Sequence, residues 1–173
     1  MLHAYCGGVP RVHASTFVAD SAHVIGDVEI GEDASVWFNA VIRGDVNYVR
    51  IGPGTNIQDG TVIHVNRQGA PVILEESVTV GHGARLHGCR IAAHCLIGIG
   101  AIVLDGSVLE EECLVAAGSL VVPGTRVPRG SLLMGAPATV RRSVTAEDVE
   151  LIRRSARNYV ALKAEYLGSR AAH

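Results

Sequence analysis

Eight histidines run through the 173-residue chain, and His64, His82 and His87 have the company that chemistry needs. Three neutral imidazoles with a fourth position open make a hydrolytic metal centre, because the ion lowers the pKa of bound water to ~7. His3, His13, His23, His94 and His173 have no such neighbours and read as surface or satisfied side chains. The four cysteines, Cys6, Cys89, Cys95 and Cys113, contain no C-x-x-C pair and no secreted-type framework, so they read as reduced thiols.

The elements that must position these histidines are written as a repeat. An aliphatic residue recurs every six positions at Val18, Val24, Ile30, Val36 and Ile42. After a slip of three residues it resumes at Ile51, Ile57 and Ile63, and after a loop within VNRQGAP at Leu74, Val80 and Leu86. A step of five leads to Ile91, Ile97, Val103, Leu109, Val115, Val121, Val127 and Leu133. Four residues after many of these comes a smaller side chain, among them Ala22, Ala34, Thr55, Ala84, Cys95, Ala101, Ser107, Cys113, Ser119 and Ser131. Such a period describes a solenoid. Three hexads of extended chain make one triangular coil, with the aliphatic residue inward, the small one at the corner and coils ~4.8 Å apart. Hairpin strands would need alternation with a period of two and paired turn signals, and the six-residue period does not supply them. Aromatics are 4% of the chain and hydrophobic residues 48%, which suits a core layered from small branched side chains.

Register then sorts the candidates. Ile42, Ile63 and Leu86 share one face of successive coils, so the outward column beside them reads Arg43, His64, His87. Two imidazoles stacked ~4.8 Å apart can converge on one ion at Zn–N distances of ~2.0–2.1 Å. His82 lies two residues past Val80 on another face, over Asp59 of the preceding coil. It can join the pair only from a neighbouring chain, and a three-sided rod that closes this way forms a C3 homotrimer with metal sites between subunits.

After Pro137 the period stops. Thr145, with Asp148 three residues on, resembles a capping box. Val149, Ile152, Ala156, Tyr159, Val160 and Tyr166 then follow helical spacing. The expectation is a helix of about 22 residues along the outside of the solenoid, joined by a connection over 133–142. The formal net charge of −2 leaves no basic excess for nucleic acid. There is no signal-like start and no apolar run of membrane-spanning length, so no membrane partner and a cytoplasmic location are expected.

Three blocks, RGD at Arg43–Gly44–Asp45, NIQDGTVIH ending at His64, and TVGHGARLHGC from Thr79 to Cys89, resemble the γ-class carbonic anhydrases. The resemblance covers the whole chain. It implies an all-β solenoid, a left-handed parallel β-helix of hexapeptide repeats over 1–140, with the C-terminal helix and tail at 141–173. It implies CO2 hydration to bicarbonate, with His64, His82 and His87 as ligands to Zn2+, or to Fe2+ or Co2+, in a homotrimer. Arg43 and Asp45 would bridge subunits, Asn56, Gln58 and Asp59 would surround the metal, and Gln58 would orient the attacking oxygen. Tyr159 matches a tyrosine that approaches the metal. One departure stands out: the loop VNRQGAP has no acid, and Val46 follows the RGD run where the archetype has Glu. Without a carboxylate relay, turnover is expected to be low, buffer-dependent or absent. Two alternatives share the solenoid, an acyl-CoA-dependent acyltransferase and a catalytically weak structural subunit.

Overall fold

Short extended segments, most of two or three residues and separated by tight turns, carry the six-residue repeat. In a computed structural model that describes residues 1–171, they wind into a parallel β-solenoid of about 7 coils with one helix along it. His173 lies outside the described residues.

Three columns of inward side chains form the core. On the first face Val24, Ile42, Ile63, Leu86, Val103 and Val121 stack coil upon coil. The second face stacks Val18, Val36, Ile57, Val80, Ile97, Val115 and Leu133. The third stacks Val12, Ile30, Ile51, Leu74, Ile91, Leu109 and Val127. Every inward position expected from the period is buried except Val18, which is half-buried because its strand is the last on its face. Each buried Val, Ile or Leu contributes ~1.5–3 kcal/mol relative to exposure, so layering substitutes for the missing aromatic core.

The slip of three residues is a continuous strand, Val41–Ile51, that turns the corner between the first and third faces beside His23–Ile30. The two backbones come so close there that a Cβ on Gly44 would sit 2.5 Å from the Asp27 carbonyl oxygen. Glycine in the RGD run is therefore a packing requirement.

The C-terminal segment departs from expectation in two ways. The stretch 133–142 is no simple connection: Ser131–Gly135 and Ala138–Ser143 form an antiparallel pair that ends the second face. Antiparallel pairing satisfies the last coil's backbone groups, which a loop would leave open. The helix α1 runs over Ala146–Ala171, longer than expected. Its start is the reciprocal box anticipated: Thr145 N–H donates to Asp148 Oδ2 at 2.8 Å, and Asp148 N–H to Thr145 Oγ1 at 3.2 Å.

Helix α1 lies on the second face and runs back along the solenoid. Near its start Ile152 packs with outward Leu96, Leu114 and Leu132 of the later coils. Farther along, Tyr159 and Tyr166 join Phe17, Trp37 and Phe38 in an aromatic cluster on the early coils. Lys163 is 5% exposed and donates to the Ser15 carbonyl at 2.7 Å and to Asp33 at 2.5 Å, tying the helix to the first two coils. No helix among the described residues is long and apolar enough to cross a membrane.

Candidate metal centre

The outward column of the first face holds the pair that register predicts. Arg43 is level with His64, and His64 with His87, on three successive coils. His64 Nδ1 and His87 Nε2 lie 3.2 Å apart, with ring centroids 5.2 Å apart. Their other nitrogens are held by carboxylates, which can only accept when ionised. His64 donates from Nε2 to Asp45 Oδ1 at 3.0 Å, and His87 donates from Nδ1 to Asp105 Oδ1 and Oδ2 at 2.8 and 2.9 Å.

Arg43 closes one end of this line by pairing with Asp45 inside the same chain. Burial works against the Asp45 charge, but hydrogen bonds from Arg43 and His64 outweigh it and hold the carboxyl below its ordinary value. The isolated chain thus satisfies Arg43 and Asp45 against each other.

The second face carries a different group. His82 Nδ1 lies 2.9 Å from Asp59 Oδ2, and the imidazole is nearly half exposed. Its backbone N–H donates to Gln58 Oε1 at 3.2 Å, Gln58 Nε2 donates to Asn56 Oδ1 at 3.1 Å, and Asn56 Nδ2 donates to Thr79 Oγ1 at 2.9 Å. Asn56 and Gln58 are buried, so this ladder of amides is locked. Tyr159 comes down from α1 onto the Trp37 ring, with centroids 5.3 Å apart. Burial and the neighbouring Asp59 charge raise its phenol above the ordinary value. Within one chain Tyr159 therefore belongs with the Asp59–His82 group and not with the His64–His87 pair.

Among the described residues of a single chain, no three His, Cys, Asp or Glu side chains converge closely enough to hold a metal ion. The expected site residues are divided between two faces: Arg43, Asp45, His64 and His87 on one, and Asn56, Gln58, Asp59, His82 and Tyr159 on the other. The donors on each face suit a divalent transition metal, since every one of the three imidazoles has one nitrogen braced by a carboxylate.

Reading the sequence missed Asp105. It stands two residues past inward Val103, outside the column that holds Arg43, His64 and His87, and meets His87 only by reaching back over Gly88 to the preceding coil. Asn66, from the loop after His64, lies in an insertion whose path the period does not describe, so its partner is not legible from spacing. It donates from Nδ2 to Asp105 Oδ1 at 2.9 Å.

No family model matches the chain. It is 46% identical over 158 residues to γ carbonic anhydrase 2 of Arabidopsis thaliana mitochondria, covering 88% of this chain. The chain spans 57% of that relative's length. A carbonic anhydrase of Geobacillus kaustophilus is 46% identical over 160 residues, covering 92% of this chain and 87% of the relative. Among solved structures, a hexapeptide transferase family protein of Anaplasma phagocytophilum superposes with a TM-score of 0.92. Its identity is 42%, covering 95% of this chain and 97% of that one. The agreement with the carbonic anhydrases extends over nearly the whole solenoid and includes the segments that carry both histidine groups, and on that ground the chain belongs to the γ-class carbonic anhydrase family.

Proposed function

We propose that this chain is a metal-dependent carbonic anhydrase whose ion is held between subunits of a homotrimer, by His64 and His87 of one chain and His82 of the next. The observation that carries the proposal is the division of the donors. A braced histidine pair sits on one face, and a single braced histidine sits beside a locked amide ladder on another. A ring of three chains brings each pair to a neighbour's single histidine, and every chain supplies both halves once. The ion, Zn2+ with Fe2+ or Co2+ acceptable to the same imidazoles, supplies the Lewis acidity that makes water nucleophilic near neutral pH.

The chain's own residues do the rest. Gln58 has two amide hydrogens, one given to Asn56, so the second is available to hold an oxygen of CO2 or of the attacking water. Its carbonyl is tied to the His82 backbone, which fixes that N–H relative to the ligand. Asn66, Arg67 and Gln68 on the adjacent loop cannot cycle a proton near neutral pH, and a Tyr159 phenol pushed above its ordinary ~10 is a poor relay. Protons must therefore leave to buffer.

Acyl transfer needs one histidine as base and a groove for pantetheine. It leaves the carboxylate brace on all three imidazoles without a purpose. The deciding experiment is metal analysis of anaerobically purified protein, followed by stopped-flow CO2 hydration on the same material. One ion per chain with hydration is expected. A fully loaded protein without hydration would turn the assignment toward acyl transfer or a structural role.

A further inference from the structure

Asp105 is a third coil's contribution to the histidine pair. Its carboxylate takes the His87 Nδ1–H on both oxygens, at 2.8 and 2.9 Å, which leaves Nε2 of that ring as the lone-pair nitrogen, 3.2 Å from His64. The carboxylate is itself held. Asn66 donates to Oδ1 at 2.9 Å, and Asn66 sits in a loop pinned by Asn47 Nδ2 to the carbonyls of Asn66 and Gly69 at 3.2 and 3.0 Å. The space it occupies exists because residue 88 is glycine: a Cβ there would lie 2.5 Å from Asp105 Oδ1. No arginine or lysine pairs with Asp105 among the described residues, so its hydrogen bonds go to His87 and Asn66 alone.

We infer that Asp105 is a positioning residue that fixes His87 in the tautomer with its Nε2 lone pair turned toward His64, and that the loop residue Asn66 steadies it. The inference rests on the three-histidine centre proposed above. The physical reason is that an imidazole in water prefers its proton on Nε2, the nitrogen that must be bare here. A carboxylate on Nδ1 reverses that preference before any ion arrives. The loop that lacks an acidic relay thus has a different duty at the same place.

The test uses the assembled protein. Two-bond proton–nitrogen correlation spectra of histidine-labelled, metal-free protein, above the pH where imidazoles are charged, report the tautomer of His87. His87→Ala identifies its signals. Zn2+ affinity is then measured by chelator competition. Wild type is expected to show the proton on Nδ1. Asp105→Ala is expected to move it toward Nε2 and to lower Zn2+ affinity by about 10–100-fold. Asp105→Asn, which keeps an accepting oxygen, should preserve the tautomer and lose only a few-fold in affinity, roughly the difference between charged and neutral acceptors. Unchanged melting of the metal-free variants separates positioning from a general structural role. An Asp105→Ala protein with the wild-type tautomer and wild-type affinity overturns the inference. If His87→Ala binds Zn2+ as tightly as wild type, the three-histidine centre fails instead, and the spectra still decide the role of Asp105.

Discussion

Mixing two inactive variants gives a quantitative test of the divided centre. His82→Ala removes the single ligand from the second face and leaves the His64–His87 pair, while His87→Ala does the reverse. Both imidazoles lie on the outside of the coils, at 46% and 27% side-chain exposure, so truncation leaves the inward columns untouched. Neither variant alone can assemble three imidazoles around one ion. In a ring co-assembled from equal amounts, an interface is whole when the chain giving the pair is the His82→Ala form and its neighbour is the His87→Ala form. Each condition is met half of the time, so about a quarter of the interfaces regain all three ligands. The assay carries different affinity tags on the two variants, isolates rings holding both, and measures metal per chain and CO2 hydration. Doubly tagged rings contain one or two chains of each kind, and each such ring has one whole interface, so about a third of wild-type metal is expected in that fraction. Mixed rings that take up no more metal than either parent would refute the shared site. So would a His82→Ala homomer with full occupancy.

Four further outcomes follow from particular contacts. Turnover at saturating CO2 should rise with the concentration of a small imidazole buffer while kcat/KM changes little. Gln68→Glu should raise kcat at low buffer, whereas Glu at position 66 would face Asp105, so position 68 is the better graft; fast, buffer-independent turnover by wild type would show a relay elsewhere. Asp148 is held at about 2 by Arg142, the Thr145 backbone and the Thr145 hydroxyl, so its stabilisation is complete above its unfolded value near ~4 and is lost as pH falls through about 2. Asp148→Ala should therefore cost roughly 1 kcal/mol in urea unfolding at neutral pH, and its deficit should shrink in strong acid. Lys163→Met frees the Ser15 carbonyl and Asp33 from the helix, which should cost about 1–2 kcal/mol and speed amide exchange in the last turns of α1; unchanged exchange there would deny the tie its role.

The hexad period makes the solenoid, its three faces and the separation of His82 from His64 and His87 legible in the order of residues alone. A parallel β-solenoid turns by a fixed amount per repeat, so face and coil are arithmetic in residue number. Ile42, Ile63 and Leu86 could be stacked by counting, and with them Arg43, His64 and His87. The capping box, outside the repeat, is readable for a different reason: its two hydrogen bonds span only three residues.

Contacts that leave the repeat could not be counted. Asp105 meets His87 from the coil beyond, by reaching back over a glycine, and Asn66 meets Asp105 from an insertion whose path no period describes. Lys163 looks like a solvated helix residue until the direction of α1 brings it to the first two coils, where the Ser15 carbonyl and the Asp33 carboxylate give its charge partners. The hairpin at 131–143 closes the final coil because that coil has no successor to pair with, which is a condition of the assembled rod. A local period repeated along the chain sets the architecture and the addresses of the three histidines. Which side chains brace them depends on distances between coils, loop and helix, and those exist only once the chain has wound.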